Sequence, residues 1–169
     1  ERLLLPSLTV RGLASGNVGA LARNVIPATA EAALGVRLVE GNDPDHMLDL
    51  VEAHIRSQGY HVVRDDPDME TRLAHPKIAK VVRCGGYPAS RTAMGAPGMT
   101  GIIEAARVAA RSEALPPEDR ELVLVPALGG SLPLYLFTRG MDTPAIIVPV
   151  ANHDDNQHAP DENVRVANL

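Results

Sequence analysis

The stretch that decides the fold is AEAALGVRLVEGNDPDHMLDLVEAHIRSQGYHVV, residues 30–63. Alternation of apolar and polar side chains predicts a strand over the second half of residues 30–39. Asp43 followed by Pro44 is typical of a helix start, with Asp43 as the N-cap and Pro44 at the first helical position. Apolar residues then recur at spacings of three and four, and Gly59 is the residue type that commonly ends a helix.

Two further strands flank this stretch. Residues 8–13 are strand-like and lead into a loop punctuated by glycine, residues 15–19, and residues 60–63 form a short apolar run after the helix. The order is strand, loop, strand, helix, strand. It predicts an antiparallel or mixed sheet covered by helices on one face.

The second half of the chain has a different pattern. Residues 65–91 are polar and irregular, with prolines and a Gly-Gly pair, which favours a domain junction there. Beyond it we expect a helix over 99–111 with a break at Pro116-Pro117, and its inward-facing residues are Ile102, Ile103, Ala106 and Ala110. A strand over 121–126, a helix over 132–139 and a strand over 145–150 follow. Such an order is typical of a βαβ unit in a parallel sheet.

Composition excludes several classes of protein. With 45% hydrophobic and 22% charged residues in 169, the chain is globular, and no apolar run is long enough to cross a membrane. The net charge of −5 and the scarcity of aromatic residues argue against a nucleic-acid partner. The single cysteine, Cys84, excludes an intramolecular disulfide framework. No charged leader is visible, so the sequence predicts no compartment, with the cytoplasm slightly favoured.

Few residues stand out chemically, and each has a plainer alternative. The loop over residues 152–163 combines two histidines with four acids, a set that suits zinc or a similar ion, although a solvated surface loop has the same composition. Residues 129–131 (GGS) could present backbone N–H groups to an anion at a helix start, or form an ordinary turn. Arg37 could clamp a carboxylate or pair with a nearby acid. Asn24 could bind substrate or simply occupy a turn.

Three groups of residues, in this order, resemble the M20 family of zinc peptidases and deacylases. Residues 23–30 (RNVIPATA), 36–39 (VRLV) and the pair 43–44 (DP) resemble its lid domain. Residues 128–133 (LGGSLP) resemble its glycine loop. Residues 158–163 (HAPDEN) resemble the motif that supplies the last metal-binding histidine. The family includes carboxypeptidase G2-like enzymes, carnosine dipeptidases, acetylornithine deacetylase and succinyl-diaminopimelate desuccinylase.

The resemblance implies roles for particular residues. It makes His158 a metal ligand and Glu162 the acid that follows it in the motif, and it gives His153 no ligand role. The residues that it places near the substrate are Asn24 and Arg37, on neighbouring lid strands, with Gly129, Gly130 and Ser131 in the glycine loop. In family members the two lid residues reach the substrate carboxylate or the tetrahedral intermediate.

The resemblance also implies an α/β fold of two parts. Residues 1–75 would be part of an α+β lid or dimerisation domain, and residues 76–169 the C-terminal part of the zinc-binding α/β catalytic domain. The complete enzyme would hold two zinc ions, cleave amide bonds of peptides or N-acyl amino acids, and form a homodimer through the lid.

Several residues that the family's reaction requires are missing from this sequence. In the family an N-terminal H-x-D motif, a bridging Asp and a Glu-Glu pair that contains the general base supply these groups, and the resemblance identifies none of them in this sequence. We therefore expect a piece of a longer protein that contains no catalytic residue of its own and is inactive alone. One alternative is a non-catalytic α/β binding or dimerisation module. A second is a serine-type α/β hydrolase that uses Ser131, although no local base accompanies that serine.

Overall fold

The computed structural model describes residues 4–111 and 121–166. The chain divides into two units, residues 1–90 and residues 91–169. The predicted break at Pro116-Pro117 lies outside the described residues. The assignment of residues 1–75 to a lid and 76–169 to a catalytic part stays a prediction.

The first unit begins with an antiparallel hairpin. Strand β1 (Ser7–Ser15) pairs with β2 (Ala30–Arg37), from Ser7 opposite Arg37 to Ser15 opposite Ala30. The register shifts between Val10 and Gly12, so Arg11 is an extra residue in β1. Strand β2 starts at Ala30 and not in the second half of residues 30–39, because pairing with β1 extends it through alanines that carry little strand preference of their own.

Helix α1 (Pro44–Ser57) confirms the predicted start and end. The Asp43 side chain accepts a hydrogen bond from the backbone N–H of His46 at 2.8 Å, as an N-cap does. After the helix, Gly59 has φ +84° and donates its N–H to the carbonyl of Arg56 at 2.9 Å. A left-handed residue at this position stops the helix, and glycine adopts that conformation without strain.

Residues 65–91 are not irregular throughout, so that part of the sequence prediction is wrong. After β3 (His61–Val63) come helix α2 (Met69–Ala74) and strand β4 (Ile78–Lys80), and β3 and β4 are parallel. The Asp68 side chain caps α2 by accepting from the N–H of Thr71 at 2.8 Å. The expected single sheet is replaced by two separate two-stranded sheets in the described residues, because β3 pairs with β4 and not with the hairpin.

The second unit contains helix α3 (Met99–Ala110), as predicted, and the short helix α4 (Tyr135–Thr138), where a helix over 132–139 was expected. The predicted strands over 121–126 and 145–150 do not form in the described residues, so the βαβ unit is absent from them. A strand needs a partner ladder, and Ala145 instead exchanges both backbone bonds with the hydroxyl of Thr92, at 2.9 and 2.7 Å.

Little apolar surface is buried in the described residues. Met99 is the one buried apolar residue among them, with Glu52 and Asn152 the buried polar ones. Of the four residues expected to face inward on α3, Ile103, Ala106 and Ala110 are partly buried, whereas Ile102 is 45% exposed. None of the described helices, the longest of which has 14 residues, is long and apolar enough to span a bilayer.

Candidate functional site

The two lid residues lie at different places in the hairpin. Arg37 is the last residue of β2 and pairs with Ser7 across the ladder. Asn24 lies in the connection between β1 and β2, not on a neighbouring strand as expected, because β1 already ends at Ser15. Both residues are exposed. Their predicted contacts with substrate stay predictions.

A buried carboxylate that sequence reasoning missed lies on α1. The side chain of Glu52 is 3% exposed and is surrounded by three guanidinium groups. Arg64 binds both of its oxygens, with the Nη2 to Oε2 distance at 2.9 Å, and Arg83 donates from Nε to Oε1 at 2.6 Å. Arg56 lies one turn further along the helix, with its Nη2 3.4 Å from Glu52 Oε2. Arg83 also pairs with Asp49. Glu52 thus joins α1 to the residues that follow β3 and β4.

These hydrogen bonds determine the ionisation of Glu52. The bonds from Arg64 and then Arg83 lower the pKa of Glu52 from about 4.5 to about 2, against the opposing effect of burial. A carboxylate with so low a pKa is a poor proton acceptor at neutral pH, and both of its oxygens are engaged. We therefore assign Glu52 a structural role and not that of a general base.

The glycine loop does not begin a helix. Residues 129–131 are exposed, and α4 begins only at Tyr135, with Leu134 as an N-cap that makes no side-chain hydrogen bond. The predicted presentation of N–H groups at a helix start is therefore wrong for this loop. A strand-turn-helix around Ser131, which a serine nucleophile elbow requires, is also not formed.

The predicted metal ligand His158 belongs to a closed loop, residues 152–165, here called the histidine loop. Asn152, 7% exposed, lies at its neck. Its amide nitrogen donates to Asp154 Oδ1 at 2.6 Å and to Asn163 Oδ1 at 3.3 Å, and its oxygen accepts from the N–H of Arg165 at 2.9 Å. The hydrogen bond from Asn152, with a smaller contribution from Arg165, lowers the pKa of Asp154. The Asn152 side chain thus connects the two ends of the loop, together with an ion pair from Arg165 Nη2 to Asp154 Oδ2 at 3.0 Å.

The tip of the histidine loop has an unusual backbone. Asn156, His158 and Asp161 have φ angles of +57°, +65° and +66°. Non-glycine residues rarely adopt this left-handed region, so the surrounding bonds must maintain it. One of these bonds runs from the N–H of Asn163 to the carbonyl of Asp155 at 2.9 Å. His158 is exposed at the tip.

Comparison with known proteins bears on the first unit most directly. Residues 2–63 match the family sequence model M20_dimer, described as "Peptidase dimerisation domain". This part of the chain is similar to an M20 peptidase dimerisation domain. The matched residues contain β1, β2, α1 and β3, so the similarity to the dimerisation domain extends over Asn24, Arg37 and Glu52.

A solved structure extends the likeness to the rest of the chain. The crystal structure of an M20 family metallo-carboxypeptidase, Sso-CP2, from Sulfolobus solfataricus is similar, with a TM-score of 0.72 and 22% sequence identity. The match covers 98% of this chain and 33% of the carboxypeptidase, so this chain spans about a third of the length of that enzyme. At this identity the likeness shows the fold. None of the curated proteins compared with the chain matches it. The M20 resemblance and the α/β class are thereby confirmed.

The donor groups needed for a metal site are not assembled around the M20 domain or in the histidine loop. Among the residues that the structure describes, no three His, Cys, Asp or Glu side chains are placed to hold a metal ion. His61 and His75 stack face to face with ring centroids 3.7 Å apart, in a contact between β3 and the residue after α2. The described residues therefore do not by themselves assemble a two-zinc site, and His158 is the ligand that the family resemblance identifies among them. The metal role of His158 in the histidine loop stays a prediction.

Proposed function

We propose that the chain supplies the dimerisation domain, and the segment after it, of an M20-type zinc-dependent metallohydrolase that cleaves amide bonds of peptides or N-acyl amino acids. The observation that carries this proposal is the match of residues 2–63 to the M20 peptidase dimerisation domain, and the apolar exposure of the hairpin supports the dimerisation part. The similarity of the fold to that of a metallo-carboxypeptidase supports the enzymatic part.

The hairpin has the properties of a surface that another chain covers. Leu13 on β1 is 79% exposed, Leu8 and Val10 are 56% exposed, and Leu34 on β2 is 41% exposed. An isolated two-stranded ribbon is marginally stable in water, and exposed strand edges readily pair with another chain. Pairing with a second copy would bury both the edge and the apolar side chains. The partner we propose is therefore a homodimer formed through this domain.

Sedimentation velocity over a range of concentrations tests the dimer. We expect concentration-dependent dimerisation in the wild type and a shift towards monomer in Leu13→Arg. Leu73→Arg is the matched control, because Leu73 on α2 is 82% exposed but lies outside the matched residues. A monomer at all concentrations, or equal weakening by both substitutions, would contradict dimerisation through the hairpin.

For substrate recognition we propose that Arg37 and Asn24 bind the substrate's carboxylate. A guanidinium can donate two charge-assisted hydrogen bonds to a carboxylate, each contributing roughly 1.5–3 kcal/mol. Titration with N-acetylalanine should shift the NMR signals of both residues more than titration with its amide. Arg37→Lys should weaken binding as well, because the planar fork is lost. Equal responses to the acid and the amide would remove Arg37 from the site.

The chain alone should neither hydrolyse peptides nor hold a zinc pair. Because His158 is the one ligand that the family motif identifies here, we expect only weak zinc binding, abolished by His158→Ala. Isothermal titration calorimetry with Zn²⁺ measures this. A tight site with two ions per chain would contradict the proposal, as would peptide hydrolysis by the chain alone.

The alternative of a non-catalytic dimerisation module keeps one observation in its favour, since the family match is confined to residues 2–63. The two hypotheses differ in whether this polypeptide or a partner contains the other metal ligands. The gene sequence on either side of this chain decides between them. The serine-hydrolase alternative requires a strand-turn-helix around Ser131, and the structure does not form one there.

A further inference from the structure

We propose that Asn152 is the positioning residue of the histidine loop, and that its carboxamide holds the backbone conformation in which His158 is presented. The inference deepens the proposed function, on which it rests for the role of His158 as a ligand. Its structural content is that the amide holds the neck beside the Arg165–Asp154 ion pair, and this can be tested separately from metal binding.

The neck of the loop needs both halves of a carboxamide. The Asn152 nitrogen donates to two oxygens, on Asp154 and Asn163, while its oxygen accepts from the N–H of Arg165. A carboxylate could not donate, and an aliphatic side chain could do neither. Since Asn152 is 7% exposed, water cannot readily replace its carboxamide, and removing the amide would delete its three hydrogen bonds at the neck.

The tip depends on the neck because its backbone is strained. His158 at φ +65° lies between Asn156 and Asp161, which are also left-handed. Each such residue is less stable than in an ordinary conformation, by about 1–3 kcal/mol. Opening the neck removes the restraint on the segment between Asp154 and Asn163. The tip should then relax to ordinary backbone angles and change where the His158 ring lies.

Amide hydrogen exchange of the whole chain, followed by NMR, tests the inference. In Asn152→Ala we expect the N–H groups of Arg165, Asn163 and Ala159 to exchange about tenfold faster. Amides of α3 should keep their protection. Gln157→Ala is the matched control, because it removes a carboxamide from the same loop and leaves the neck intact. It should leave Arg165 and Asn163 unchanged.

Asn152→Asp separates positioning from general packing. Aspartate keeps the oxygen that accepts from Arg165 and loses the donors to Asp154 and Asn163. We expect Arg165 to stay protected while Asn163 and the tip exchange faster. Unchanged protection of the loop in Asn152→Ala would overturn the inference. Equal loss at α3 and the loop in both variants would overturn it as well, because Asn152 would then be a general packing residue.

A second readout distinguishes this inference from the proposed function. Zn²⁺ is added alone, and the ring signals of His158 are followed in the wild type and in Asn152→Ala. If the ring signals of His158 in the wild type do not change on addition of Zn²⁺, the proposed metal role is contradicted. The hydrogen-exchange result then still tests whether Asn152 holds the loop. An identical His158 response in both proteins contradicts positioning by Asn152 and leaves the metal role in place. We expect a response in the wild type that changes in Asn152→Ala.

Discussion

Arg83 donates from Nε to Oε1 of Glu52 across 2.6 Å, although the two residues are 31 positions apart in sequence. The bond attaches the segment after β4 to the buried side of α1. Arg64, which follows β3, binds the same carboxylate. Glu52 is therefore the common point at which the helix and the parallel strand pair of the first unit are joined.

The first prediction concerns the pH dependence that Glu52 creates. Its pKa is about 2 when folded and about 4.5 otherwise, so its contribution to stability is present above pH 4.5 and is lost as the pH falls towards 2. Glu52→Gln should lower the free energy of unfolding at pH 7 by about 1–3 kcal/mol, a range reduced for solvent screening of the half-exposed Arg64 and Arg56. Urea unfolding of both proteins at pH 7 and at pH 3 measures this loss of unfolding free energy.

Glu104→Gln on α3 is the matched control for this experiment. Glu104 is exposed and pairs with Arg107 at 3.4 Å, so its loss should change stability by less than about 0.5 kcal/mol at either pH. The difference between wild type and Glu52→Gln should shrink at the lower pH. A difference that is independent of pH would show that Glu52 does not act through its charge.

The second prediction concerns the N-cap of α1. Asp43→Ala removes the acceptor of the His46 N–H and should destabilise the chain by about 1 kcal/mol. Asp43→Asn keeps a side-chain oxygen at the same place and should have little effect. The measurement is urea unfolding followed by circular dichroism. If Asn is as damaging as Ala, the charge and not the capping bond is responsible.

A third prediction uses two glycines with opposite requirements. Gly59 is left-handed at φ +84°, so Gly59→Ala should destabilise by about 1–2 kcal/mol. Gly101 lies inside α3 with open space where a Cβ would be, so Gly101→Ala should stabilise by about 0.5–1 kcal/mol. Thermal unfolding of both variants provides the comparison. Two effects of the same sign would contradict the assignment of these backbone conformations.

The fourth prediction concerns the bulge in the hairpin. The Arg11 side chain lies over Gly35, where a Cβ would come within 2.7 Å of Arg11 Cδ. Gly35→Ala should therefore move Arg11 and destabilise the hairpin by about 0.5–1 kcal/mol in the wild type. In an Arg11→Ala background the same substitution should be nearly neutral. A double-mutant cycle measures this coupling, and additive effects would rule the contact out.

Prediction from sequence succeeded where the signals are local. The start and end of α1 were predicted correctly because their signals are residues at the helix ends themselves, namely Asp43, Pro44 and Gly59. Strand β4 has only three residues and depends on pairing with β3, and no pattern in its own residues indicates that. The segments 121–126 and 145–150 were predicted as strands from their apolar composition, but they do not form strands. An apolar segment becomes a strand only where another strand pairs with it, and composition alone does not show whether one does.

The candidate site divides in the same way. The motif around His158 could be recognised from the order of its residues alone. Asn152 was visible as one polar residue among many in that loop, and burial rather than residue type distinguishes it. Glu52 looked like an ordinary helix residue, because its guanidinium partners come from segments that only the fold brings together.

The hydrogen bonds that define the hairpin, α1, the parallel strand pair and the surroundings of Glu52 all lie within the first 90 residues. Contacts between residues close in sequence form quickly, and domains generally fold from the N-terminus during synthesis. The first unit can therefore complete its own bonding while the residues of the second unit are still being translated. The hairpin would then be available to a neighbouring nascent chain before His158 has left the ribosome.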